Sequence, residues 1–262
     1  MAAGTGLAQT PGTASLFPPR PEGYVTDVAS LVAPASRDSL EDLLTRLRAA
    51  TGAEVAVVTL PTIGDRDEAE VALAIGRAWG VGARAEVGDR RRNAGLVLLL
   101  VPRQNHQPGT GHVRIEVGQG LEGIVTDAAS GQIRRDVMGP LLAQEQYGAA
   151  LSSGVRAVTG VIARGYGVTD STLASTPLPA APASPPGSQL VSLLPILIFI
   201  LFVILANRGR RGRRVYWGGG PWIGGGWGGG GFGGGFGGGG GGGFGGFGGG
   251  GGFSGGGSGG RF

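Results

Sequence analysis

The sequence contains no cysteine, which excludes disulfides, thiolate metal centres and cysteine nucleophiles. Its two histidines, His106 and His112, stand six apart in the polar stretch PRQNHQPGTGH. That spacing fits no zinc pattern, and no Ser/His/Asp arrangement is readable around it, so solvated loop histidines are the expectation. Lysine is absent too: all 22 basic residues are arginine. No acid follows Asp170, and no aliphatic residue except Ile223 lies between Gly218 and Gly260, a stretch that holds 32 of the 58 glycines. Such a segment buries too little aliphatic surface to offset its ordering entropy, so residues 208–262 are expected to form an Arg cluster followed by a disordered Gly/aromatic-rich tail. Met1–Gln9 has neither a basic start nor an apolar core, so residues 1–21 are expected to be a signal-peptide remnant or a disordered segment.

Charge is unevenly placed. Sixteen Arg and 18 acids precede residue 190, and six Arg follow, so the region before is about −2 and the basic excess is C-terminal. A basic nucleic-acid-binding domain is thereby excluded, and no nucleic-acid partner is expected.

One long apolar run is present. Leu190–Ala206, LVSLLPILIFILFVILA, is uncharged, and its 17 residues would span about 26 Å as a helix, near the short end for a bilayer core. A transmembrane helix over 189–207 is expected, with the lipid bilayer contacted through residues 190–206. Five arginines follow within eight residues. The positive-inside rule puts the C-terminal tail in the cytoplasm and the N-terminal domain outside the cytoplasmic membrane.

Residues 22–168 alternate helical and strand patterns. Leu40, Leu43, Leu44 and Leu47 share a helix face that Gly52 terminates. Glu54–Leu60 is β-branched, Asp67–Trp79 turns Val71, Ala72, Ile75, Ala78 and Trp79 to one side, and Gly95–Val101 is a continuously apolar strand. Val113–Val117 alternates, Thr126 can cap a helix to about Met138, and a last helix runs from about Gln146 to Arg164. The fold class expected is α/β: a single α/β/α-type sandwich with a central mixed sheet, followed by a Pro/Ala/Ser-rich linker at 169–188.

Gly118, Gly120 and Gly123 spell G-x-G-x-x-G after a strand and before a helix. A dinucleotide site would need another strand after that helix, and another helix follows instead. A tight turn whose glycines take positive φ is the expectation. Around it stand Glu116, Glu122 and Asp127, with Asp27 in V-T-D upstream, and loop carboxylates of this kind suit Ca2+ or Mg2+.

The set V-T-D (25–27), W-G-V-G (79–82), R-N-A-G-L-V-L-L-L-V (92–101), V-R-I-E-V-G-Q-G-L-E-G-I-V-T-D (113–127), Pro140 and Tyr147-Gly148 resembles the TPM-domain family, its bacterial YgcG-like branch in particular. Gln119, where that family usually has an aromatic, and the long loop 103–111 are departures. The resemblance implies a domain exposed outside the membrane, with Asp27, Asn93, Glu122 and Asp127 matching the family's polar cluster and holding Ca2+ or Mg2+. It also implies two function classes. One is a non-enzymatic module that assists assembly or maintenance of a membrane protein complex through a membrane protein partner. The other is a metal-dependent, acid-phosphatase-like hydrolase of phosphate monoesters.

Overall fold

A computed structural model describes residues 13–174, 244 and 246–262. The apolar run 190–206 lies outside them, and among the described residues no helix is long and apolar enough to cross a membrane.

The α/β expectation holds for the domain. Five strands, β1 (Val25–Asp27), β2 (Glu54–Thr59), β3 (Gly95–Val101), β4 (His112–Gly118) and β5 (Phe253–Arg261), form one sheet in that spatial order. β1, β2 and β3 are parallel, and β4 runs antiparallel to both β3 and β5. The sheet is mixed because two helical crossovers are followed by two reversals of direction.

Helix α1 (Pro34–Thr51) starts on a proline whose missing N–H costs nothing there. It ends at Gly52, where φ is 73° and the N–H returns to the Arg48 carbonyl. Its leucines pack, with Leu142 of α4 (Gly139–Ala143) and with α5 (Tyr147–Gly165), on the face of the sheet formed by Val55, Val57, Leu96, Leu98 and Leu100. Helix α2 (Glu68–Trp79), capped by the Asp67 carboxylate, covers the other face, against Ala56, Val58, Val97 and Leu99. Both faces of β2 and β3 are therefore dry, which explains their unbroken apolar runs. The two crossovers step the same way across the sheet while α1 and α2 lie on opposite faces. One of them is therefore left-handed, against the strong preference for right-handed connections.

Several expectations need correction. Gly76, not Ala78, is on the buried face of α2. The domain begins before residue 22: Phe17 is buried with its ring edge against Trp79, at 5.9 Å between centroids. The first linker residues form α6 (Ser171–Ala174), with Leu173 buried. His112 is no loop residue; it opens β4, is 8% exposed, and faces Glu68 at 3.1 Å. His106 is an exposed loop histidine, but it meets Glu145 at 2.6 Å.

The largest correction concerns the tail. Its last described stretch is β5, paired with β4 from Gly118↔Phe253 to His112↔Arg261. The expectation of disorder weighed aliphatic burial alone. A strand added at a sheet edge needs no aliphatic side chain, since its backbone groups are satisfied by the edge itself. The burial comes instead from aromatics. Phe253 is 3% exposed inside the α2-side cluster, and Phe244 and Phe247 pack on Tyr24 at 4.7 and 5.9 Å.

Candidate functional site

The strands define two ends. Asp27, Thr59, Val101 and His112 mark one; Glu54, Gly95 and Gly118 mark the other. The glycine turn lies at the second end. Leu121 N–H closes on Gly118 O at 2.8 Å, and α3 (Asp127–Gln132) starts from Thr126, whose hydroxyl accepts from Ala129 N–H as its capping role predicts. Gly118 and Gly120, though not Gly123, are needed, for a reason other than the expected one. None of the three is among the positive-φ residues. A Cβ on Gly118 would come within 2.6 Å of Asn93 O, and one on Gly120 would collide with Arg92 O, so the turn packs directly on the segment before β3.

The four expected metal ligands do not come together. Asp27 is at the far end, about 16 Å away along β2. Its carboxylate is committed there, accepting from Leu31 N–H and Val32 N–H, each at 2.9 Å, and from the Thr59 hydroxyl at 2.5 Å. It ties β1 and β2 to the chain leading into α1. Asn93, Glu122 and Asp127 do share the glycine-turn end. Asn93 sits at φ 53° and takes the Gly120 N–H on its carbonyl at 3.1 Å. Among the described residues, no three acids or histidines stand close enough to share a cation, and the four-residue set does not fit Ca2+ or Mg2+.

What Glu122 and Asp127 hold is polypeptide. Glu122 accepts from the Ser254 hydroxyl, and Asp127 accepts from Gly257 N–H at 2.6 Å. The two carboxylates line an open cleft of about 540 Å3 with Thr126, Ala128 and residues 254–256. Asn93 lies against Gly252, where a Cβ would overlap its side-chain amide. A larger cleft, about 880 Å3, opens beside α1, but two of its three carboxylates are engaged: Glu22 with Arg37 at 2.8 Å, and Glu41 with the Tyr24 and Val25 N–H groups.

Two buried acids extend this seat. Glu54, 1% exposed, accepts Gly82 N–H at 2.8 Å and Gly248 N–H at 2.8 Å and pairs with Arg48 at 2.9 Å. Glu116, fully buried, pairs with Arg114 at 2.5 Å, and Arg114 also donates to the Gly255 and Gly256 carbonyls at 3.1 and 3.2 Å. Burial pushes the pKa of both acids up; the Gly248 N–H and Arg48 oppose it at Glu54, and Arg114 opposes it at Glu116. Arg114 and Glu116 alternate in β4 with Val113, Ile115 and Val117 and so share one face of the strand. The β5 edge and α2 cover it, and nothing in the local pattern marks that.

The architecture defines an α/β/α sandwich whose glycine turn and last antiparallel edge carry the polar cluster. The sequence matches the TPM domain family over residues 25–161, more than half of the chain, and the chain belongs to that family. A solution structure of the N-terminal domain of a protein from P. gingivalis is 35% identical, with 55% of this chain and 84% of that one covered at a TM-score of 0.46. No curated protein matches.

Proposed function

We propose that the chain is a membrane-anchored, YgcG-like member of the TPM family that works without catalysis. In this reading residues 190–206 anchor it in the cytoplasmic membrane with the domain outside. It assists assembly or maintenance of a membrane protein complex by holding an extended piece of polypeptide. The observation that carries the binding part is the use made of the polar cluster: Glu122 and Asp127 accept from a hydroxyl and a backbone N–H of β5. The uncharged run followed by five arginines supports the anchoring part. The phosphatase alternative would need those two carboxylates turned to a cation and a third ligand near them. Asp27, the expected third, is at the other end of the sheet.

The test is fractionation of cells expressing the full chain. The native protein should stay in the membrane pellet through alkaline extraction, and a Leu201→Arg, Val203→Arg variant should be released. A native chain found wholly in the soluble fraction would overturn the anchoring.

A further inference from the structure

We propose that the β4 edge is a strand-binding site for a separate polypeptide, and that its ligand is an extended, glycine-rich segment with an aromatic residue at each end. The chain's own β5 is the stand-in that displays the chemistry.

The edge selects glycine by collision. Gly257 has φ 115°, and a Cβ there would strike the Ile115 carbonyl oxygen. A Cβ on Gly259 would come within 2.8 Å of the Arg114 side chain, and one on Gly260 within 2.9 Å of the Arg134 guanidinium. Gly257 is closed to any side chain, and Gly259 to one that Arg114 does not yield to, whereas the Arg134 guanidinium can swing away from position 260; the seven-pair backbone ladder itself is sequence-blind. The ends are sorted by size. Phe253 enters a buried socket whose floor is the bare Cα of Gly76. Phe262 lies over Gly111, beside the Tyr147 ring at 6.2 Å and under the Arg103 guanidinium at 5.6 Å. Between the ends, side chains read the strand's position: Asp127 takes Gly257 N–H, and Arg134 Nε donates to the Ser258 hydroxyl at 3.0 Å.

That a separate polypeptide occupies the site rests on the membrane-anchored reading. A strand ladder cannot close through a bilayer. If residues 190–206 cross once, β5 is on the other side from β4, and the edge stands unpaired. An unpaired edge with a backbone row, the buried Arg114–Glu116 pair and an aromatic socket is a template for another chain. With the tail withdrawn, the segment filling it has to come from a protein exposed on the domain's side.

The experiment uses the full-length chain carrying Gly257→Val, which bars its own strand, and a fluorescent synthetic decapeptide with the sequence of residues 253–262. In detergent, where no bilayer separates β5 from β4, anisotropy should show the decapeptide binding the variant at least tenfold more tightly than the native chain, whose own strand refills the edge. A decapeptide with the same Gly→Val change should bind neither. Circular dichroism checks that the variant is folded; should it not be, Phe262→Ala, which weakens only the terminal anchor, replaces it. Failure of the native decapeptide to bind a folded variant, or equal binding of both decapeptides, overturns the site. Both results are independent of fractionation: loss of membrane association would refute the anchoring while leaving peptide binding intact.

Discussion

Replacing Gly76 by alanine gives a result whose sign depends on whether Phe253 is seated. Gly76 lies in the interior of α2, where alanine is favoured over glycine by about 1 kcal/mol. With β5 docked, the new Cβ would lie 2.6 Å from Phe253 Cε2 and 2.8 Å from Cζ, inside a buried cluster that includes Ile75 and Trp79. Overpacking of this kind costs roughly 1–3 kcal/mol. In the native chain the net effect is therefore a destabilisation of up to about 2 kcal/mol, seen as a fall of several degrees in melting temperature. Phe253→Ala alone should cost about 3 kcal/mol, the cavity value for a buried phenylalanine. In that background the clash is gone, and Gly76→Ala should raise stability by about 1 kcal/mol. The assay is a double-mutant cycle by chemical denaturation of the four full-length proteins, and the coupling energy is the readout. If Gly76→Ala stabilises the native chain by the same amount as the Phe253→Ala chain, the socket is empty and β5 is not where the structure puts it.

Other perturbations test the rest of the seat. Asp27→Ala removes an acceptor from two backbone N–H groups and a hydroxyl and should cost roughly 1–3 kcal/mol in denaturation, yet leave decapeptide binding to the Gly257→Val chain unchanged; lost binding would contradict its place at the far end. Any rise in melting temperature caused by Ca2+ or Mg2+ should survive Asp27→Asn, and a rise abolished by that change would restore the four-residue cation set. The raised pKa of Glu116 means that the folded state holds its proton more tightly than the unfolded one, so this acid costs stability at neutral pH. That cost shrinks as pH falls through the raised pKa toward 4.5. The native chain should thus gain melting temperature relative to Glu116→Gln as pH falls from 7 to 4.5, and a relative loss would mean a lowered pKa instead.

The layered domain was legible because its signals are local. The α1 leucines, the apolar β3 run and the Thr126 cap each follow from spacing within one element, and each stands where expected. β1 has three residues, too few for a period to show. The glycine turn was found, but its reason was not: contact of Gly118 and Gly120 with the segment before β3 is a tertiary fact that positive-φ reasoning cannot supply. The candidate site was half legible. Glu122 and Asp127 are near in sequence and stay near in space, whereas placing Asp27 with them required knowing which end of the sheet each connection reaches. β5 was invisible because glycine carries no strand propensity. Its fitness for the edge resides in Gly76, Gly111 and Ile115, more than a hundred residues away.

The β4–β5 ladder also sets a timetable. Gly118 pairs with Phe253, and His112 with Arg261. At 5–20 residues per second, a ribosome needs roughly 7–27 s to go from the first member of the Gly118–Phe253 pair to the second. Throughout that interval β1 to β4 can assemble, while Glu54 and Glu116 are already in place and the Phe253 socket has no ring to fill it. While the apolar run 190–206 is being made, the nascent domain therefore carries an edge and a socket that only a later-made segment or another chain can fill.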